Sequence, residues 1–227
     1  MGNVIIQNRT TLDPISLIGE EAGICWGSDI YDPAKNYKRG LDCIISNHGR
    51  TLEFPQVYLT IEGYSARVIR ELYTHIAGGP TRLQESTRYI DYTDFSDNKK
   101  YVTPKSVSSN KDANAAWDSC MCMISYTMKV LEDLDIPRED IGMLLPLAMH
   151  SKIVFRTNLR HLVDMSHQRL CSRANWEYRD LMKNIIKSLS EYSEEWNDLV
   201  ERDIFVPKCE YLGKCPEKKS CGRFMNK

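Results

Sequence analysis

Residues 158–179 read Asn158-Leu-Arg-His-Leu-Val-Asp-Met-Ser-His-Gln-Arg-Leu-Cys-Ser-Arg-Ala-Asn-Trp-Glu-Tyr-Arg179. The first half of this stretch predicts a helix, with Thr157 or Asn158 as its N-cap. At about 100° per residue, Asn158, Leu162, Met165 and Arg169 fall on one face. Arg160, Asp164, His167 and Cys171 fall on nearly the opposite one. A helix that only covers a core carries one apolar and one solvated stripe. Here both faces carry polar groups, and several are forked: an amide, guanidiniums and a carboxylate. Such groups suit bidentate recognition of flat, polar or phosphorylated ligands. The competing reading is a solvated helix with intrahelical pairs such as Arg160 to Asp164, each stabilising by only about 0.2–0.5 kcal/mol.

Working outward, residues 152–156 form a candidate strand that delivers the chain to this helix. Residues 174–199 read as one long amphipathic helix capped by Ser172, with Tyr178, Leu181, Met182, Ile185, Ile186, Leu189 and Trp196 on its buried side. Upstream, residues 113–134 carry Trp117, Cys120, Met121, Ile124, Met128 and Leu131 at helical spacing, a stripe read as core. Pro146 ends a short helix over 137–145. The polar run 91–111 reads as an exposed connection. Residues 4–6 and 57–61 read as strands. Residues 14–26 read as a helix with Asp13 as N-cap and Pro14 at the first position. Residues 28–37 read as a loop and 39–46 as a short helix. Residues 47–55 read as a turn with three ionisable groups. The helix 65–76 stops at Gly78-Gly79-Pro80. That break frees backbone N–H groups, and Ser86, Thr87 and Arg88 follow it with further donors, a combination that can hold a phosphate monoester.

The totals narrow the class. The chain has 227 residues and a net charge of −1. Near-neutrality argues against a dedicated binder of polymeric nucleic acid. No apolar run approaches a membrane span, and the N-terminus lacks the pattern of a secretory signal. A cytoplasmic chain is expected, with its eight cysteines reduced. Residues 1–205 are expected to form one catalytic domain, and 206–227 a Lys-rich tail bearing Cys209, Cys215 and Cys221. Their spacing is not the paired Cys-x2-Cys of common zinc sites, so no metal is expected and a zinc-stapled tail stands as the alternative.

Three segments, in order, resemble the flavin-dependent thymidylate synthases. His48-Gly-Arg50-Thr-Leu-Glu53 is similar to that family's Gly-His-x-Ser-x-x-Glu-His element. Ser86-Thr87-Arg88-Tyr89 matches the Ser-x-Arg-Tyr end of its signature. Leu145-Pro146, then Asn158-x-Arg160, Asp164, Arg169 and Ala174-Asn-Trp-Glu177, resembles its Leu-Pro … Asn-Ala-Arg-Ser-Leu … Arg … Ala-Gln-x-Glu run. The likeness covers about residues 10–200. The departures are local. The family's Arg-His-Arg triplet is absent, and Tyr73-Thr74-His75 stands in its place. The loop that follows is longer. Leu83 and Gly142 replace an Asn and an Arg. Arg70, Arg82 or Arg50 could supply the missing cations.

The resemblance implies an α+β fold, with a central mixed or antiparallel sheet flanked by long helices, in a homotetramer whose sites lie between subunits. It implies reductive methylation of dUMP to dTMP, with 5,10-methylenetetrahydrofolate as carbon donor, FAD as cofactor and NADPH as reductant. Gln84, Glu85, Ser86, Thr87 and Arg88, with Arg70, would hold the nucleotide. Arg169 would meet the uracil edge. Asn158 and Arg160, supported by Asp164, would contact the flavin, and His48, Arg50, Tyr73, Thr74 and His75 would line its site. Two alternatives are an enzyme adding a different one-carbon group to a pyrimidine nucleotide, and a non-catalytic nucleotide- or flavin-binding homologue.

Overall fold

Caps and breakers set the element boundaries. In the computed structural model, which describes residues 2–224, the order is β1 (Asn3–Ile6), α1 (Pro14–Cys25), α2 (Pro33–Ile45), β2 (Gln56–Ser65), α3 (Ala66–Leu72), β3 (Thr81–Gln84), α4 (Lys105–Ser108), α5 (Lys111–Asp133), α6 (Arg138–Ile141), β4 (His150–Asn158), α7 (Leu159–Arg169), α8 (Trp176–Ser190), α9 (Glu194–Glu201) and α10 (Lys208–Leu212). Short 3-10 turns cover Thr51–Glu53 and Gly142–Leu144. The four strands form one antiparallel sheet in the order β1-β2-β4-β3. This is the expected α+β class, with the sheet antiparallel rather than mixed. Among the described residues no helix is long and apolar enough to cross a membrane.

The chain divides into two compact units. One gathers Ile61–Thr74 and Leu83–Ile153 with the N-terminal residues through Asn3. The other gathers Val4–Thr60, His75–Arg82 and the chain from Val154 onward.

The first unit is built around α5, 23 residues long and capped by Asn110, whose Oδ1 accepts from Ala113 N at 3.0 Å. Met121 and Met128 are buried against Tyr92, Phe95, Tyr101, Ile141 and Met149. The stripe expected from helical spacing is therefore core at its methionines, but Cys120 faces solvent. The polar run 91–111 is not simply an exposed connection, because Tyr92, Phe95 and Tyr101 anchor it in the core. Isolated aromatics among Ser, Asn and Lys give no periodic signal.

The second unit departs from expectation at three helix ends. Asp32 caps α2, its Oδ1 accepting from Ala34 N and Lys35 N, so the helix starts at Pro33 inside the expected loop. Asp13 makes no side-chain cap. Its role falls to Glu195, which accepts from Ile15 N at 2.7 Å and Ser16 N at 2.9 Å. The long helix expected over 174–199 is two helices. Asn175, not Ser172, caps α8 (Oδ1 to Glu177 N, 3.0 Å). Ser193 then caps α9 and donates to Leu12 O at 2.6 Å. The apolar period runs through the break, since Trp196 and Leu199 are fully buried, and only the local cap ends the first helix.

Helices α1 and α2 cross at two glycines. A Cβ on Gly40 would lie 1.9 Å from Ile15 O, and one on Gly19 would lie 1.7 Å from Asn36 O. Backbone cannot yield as a flexible side chain does, so the helix-propensity gain of alanine is outweighed by overpacking. We expect Gly40→Ala to destabilise the protein by about 1–3 kcal/mol, read as a lowered thermal midpoint. A midpoint equal to or above wild type would contradict the close crossing.

Candidate functional site

The stretch quoted at the outset begins where β4 hands the chain to α7. Asn158 sits at the junction and is 6% exposed. Its Oδ1 accepts from His161 N at 2.9 Å and caps the helix. Its Nδ2 donates to Gly78 O at 3.4 Å. Both ends of this amide are thus engaged within the protein, where the resemblance assigned it to flavin contact. Gly78 and Gly79 take φ values of +72° and +61°, which glycine adopts without steric cost. Arg156 Nη2 donates to Gly79 O at 2.9 Å. The loop His75–Pro80, which leads into β3, is therefore fastened to the end of β4 and the start of α7.

That fastening places His75 beside the far end of α7. Arg169 Nε donates to His75 Nε2 at 2.8 Å. The guanidinium carbon lies 4.3 Å from the centroid of the Tyr178 ring, a cation–π contact. The His75 ring packs 5.9 Å from Tyr178 and 6.0 Å from His161. Arg82 Nη1 donates to His75 O at 3.1 Å. Beneath them the His161 ring shares a 2.8 Å hydrogen bond with Thr157 Oγ1, and its buried Nε2 has no partner. Burial, then the Arg169, His161 and Arg82 charges, hold His75 down to about 4. Burial also lowers His161 and His167.

The outer face of α7 is organised differently. Arg160 Nη1 pairs with Glu53 Oε1 at 2.5 Å rather than with Asp164. Both partners are about half exposed, so the pair contributes no more than about 1 kcal/mol. An added Cβ on Gly49 would lie 3.4 Å from Arg160 Cζ. The backbone of the His48 element therefore runs close to this guanidinium. His48, Arg50 and Asp164 are exposed. On the same helix His167 stacks on Tyr211 of α10 at 4.7 Å, so part of the expected tail packs against α7.

The first unit holds the other expected residues. Gln84 Nε2 donates to Ser151 Oγ at 2.8 Å, and Glu85 N donates to Lys152 O at 2.9 Å. The Glu85 carboxylate accepts from the Tyr92 hydroxyl. Burial and that carboxylate push the phenol well above its usual range. Ser86 Oγ accepts from Arg88 N at 3.2 Å. The Arg88 side chain pairs with Glu139 at 3.1 Å. Thr87 is 3.5 Å from the position of a Cβ on Gly142. A shallow cleft beside this segment is lined by Thr87, Ile90, Tyr92, Met128, Arg138 and Leu145, among others. Arg70 is exposed, Tyr73 is 40% exposed, and Thr74 Oγ1 donates to Glu71 O at 2.7 Å.

Sequence reasoning did not assign Tyr178 or His161 to the site. Tyr178 is fully buried, as helical spacing predicts, and its contact with Arg169 is the part that spacing does not give. His161 stands where the motif has Ser, and that substitution was the available signal. Among the described residues no three His, Cys, Asp or Glu side chains are grouped to hold a metal ion.

The depressed histidines make stability depend on pH. An unfolded chain takes up protons on these rings near the ordinary value of 6.5, which the folded chain refuses down to about 4 at His75. The His75 contribution is complete above 6.5 and is lost as pH falls from there toward 4, at up to about 1.4 kcal/mol per pH unit, and the lowered His161 and His167 act in the same direction. Urea unfolding at about pH 7.5 and pH 5 should show a lower midpoint at the acid value. Equal midpoints would mean the rings titrate alike in both states.

Comparison with known proteins places the whole chain beside this geometry. The family model described as thymidylate synthase complementing protein matches residues 9–193. The flavin-dependent thymidylate synthase of Pyrococcus abyssi is 30% identical over 172 residues, which are 76% of this chain and 69% of that protein. That of Geobacter sulfurreducens is 29% identical over 221 residues, 94% of this chain and 91% of its own. Among solved structures, thymidylate synthase X from Helicobacter pylori with FAD and dUMP aligns with a TM-score of 0.68 at 19% identity, covering 88% of this chain and 100% of that one. The UMP/dUMP methylase PolB from Streptomyces cacaoi, bound with 5-Br dUMP, gives 0.67 at 16% identity, covering 91% and 98%. These two likenesses concern the fold. The family match spans most of the chain and contains every candidate site residue described above, so this chain belongs to the thymidylate synthase complementing protein family.

Proposed function

We propose that this protein is a flavin-dependent thymidylate synthase that methylates dUMP to dTMP, with 5,10-methylenetetrahydrofolate as carbon donor and NADPH as reductant. The observation that carries the reading is Arg169, a guanidinium fixed by an imidazole and an aromatic face on the helix that bears the family's run of polar residues. A guanidinium held against the edge of a uracil favours the ring deprotonated at N3 and raises electron density at its reactive carbon.

The second unit fits FAD by its donor chemistry. A dinucleotide brings a pyrophosphate, which requires cations and accessible backbone N–H groups. Arg50 and Arg160 are exposed, and a Cβ on Gly79 would meet nothing within 4 Å. Bound FAD supplies the hydride chemistry. In this proposal Arg160 and Arg50 hold the flavin, with His48 lining it and Asp164 in support, while Tyr73 and Thr74 of the first unit keep a flavin-lining role only as the family resemblance implies. Asn158 acts by holding the 75–80 loop to α7. Gln84, Glu85, Ser86, Thr87 and Arg88, with Arg70, hold ribose and phosphate. Arg88 then exchanges Glu139 for the phosphate monoester. Tyr73-Thr74-His75 stands where the family carries Arg-His-Arg, and Arg82, which binds the His75 carbonyl, restores a cation to that loop. The proposal includes a homotetramer and assigns residues 206–227 to a tail outside the catalytic domain.

The test is direct. Purified protein should carry flavin absorbance and convert dUMP, but not dCMP, to a product one methyl group heavier when given methylenetetrahydrofolate and NADPH. Arg169→Ala should lower turnover by about two to three orders of magnitude with flavin retained. Unchanged turnover would remove Arg169 from its assigned role. Methylation of dCMP instead would replace the substrate.

A further inference from the structure

The contact between Arg169 and His75 has a direction. A guanidinium Nε has a hydrogen and no lone pair, so it can only donate. His75 Nε2, 2.8 Å away, must therefore be the acceptor. The ring carries its one proton on Nδ1 and no charge. Groups on every element packed against it enforce this state. Arg169 of α7 and Arg82 of β3 bring positive charge, and the His161 and Tyr178 rings of α7 and α8 cover it. Asp164, the carboxylate on this part of α7, acts on His161 and is exposed. His75 itself is 8% exposed.

We propose that His75 is a positioning residue for Arg169: as a neutral imidazole it accepts from Nε while Tyr178 lies under the guanidinium face, and together they fix the plane in which Arg169 meets the pyrimidine of its substrate. This rests on the nucleotide-binding role given to Arg169 above. It differs from the resemblance, under which His75 lines the flavin. Two different restraints, one along an N–H bond and one from an aromatic face, leave a planar cation little rotational freedom. That order is established before substrate arrives, so it need not be imposed on binding. Protonation of His75 would place a second cation at hydrogen-bond distance from the first, abolish the acceptor and release Arg169. Nucleotide binding should therefore weaken in acid through this ring.

Two variants separate the possibilities. His75→Phe keeps a flat ring and removes the acceptor. His75→Gln offers a carbonyl acceptor that does not titrate. The readouts are KM for dUMP and kcat of the FAD-loaded enzyme from about pH 3.5 to pH 8, a range that brackets the His75 titration, flavin content, and the 15N-detected Nε–H resonance of Arg169 in flavin-free protein. His75→Phe should raise KM for dUMP about tenfold or more with wild-type flavin content, and lose the hydrogen-bonded Nε–H signal. His75→Gln should stay within about threefold of wild type at neutral pH, keep the signal and flatten the acid limb. Unchanged KM and acid limb in His75→Phe would overturn the proposal, and so would loss of flavin with dUMP binding intact. Should the wild type not act on dUMP at all, the proposed function falls, and the Arg169 signal decides the contact alone. A signal present in wild type and His75→Gln, and lost in His75→Phe and in acid, supports it. A signal indifferent to residue 75 refutes it.

Discussion

One amide holds the second unit in register. Asn158 is the last residue of β4 and the cap of α7, and it also grips the carbonyl of Gly78. A side-chain cap stabilises a helix by about 1 kcal/mol. The energy matters less than the geometry, because the same residue ties together a strand end, a helix start and a left-handed turn. The turn decides where His75 and Arg82 lie, and the helix decides where Arg169 lies. The meeting of an imidazole and a guanidinium 94 residues apart in sequence follows from that junction. An isosteric acid at position 158 could still cap the helix, but it would face the Gly78 carbonyl with no hydrogen to donate.

The helix α7 then serves two functions through opposite faces. Its buried side presents Leu162 and Met165 to the core and Arg169 to the His75–Tyr178 cradle. Its outer side presents Arg160 to Glu53 and His167 to Tyr211. A helix with only one apolar stripe could not be held from both sides. Polar groups on both faces are the means by which this helix is fixed.

Much of this was legible in the sequence where a local rule operates. The start of α7, capped by Asn158 of the two candidates Thr157 and Asn158, and the long helix over Met121 and Met128 each follow from residues within one or two turns, whereas the helix expected over 65–76 ends earlier than its glycine break, at Leu72. The fold class followed from the motif run of residues 145–177. What was missed depends on distant partners. Asp13 looks like a cap, yet Glu195 supplies the acceptor from far along the chain. The break at Ser193 is invisible because Trp196 continues the apolar period. Tyr92, Phe95 and Tyr101 are single aromatics in polar surroundings, and only tertiary packing makes them core. In the site, residue types were readable but pairings were not. Nothing local assigns Arg169 to His75, Arg160 to Glu53 or Arg88 to Glu139.

The closures around Glu195 carry a consequence for how the chain acquires its shape. Residues 10–16 are sealed by groups from one short late segment: the Tyr192 hydroxyl on Thr10 O, the Trp196 indole on Thr11 O, Ser193 on Leu12 O, and Glu195 on the first turn of α1. Each bond spans about 180 positions. During synthesis, helix α1 therefore emerges from the ribosome long before anything can neutralise its exposed amino end. Such distant pairings slow folding because a long loop must close before any contact rewards it. Helix α1 must wait, uncapped, until about 180 further residues have been made.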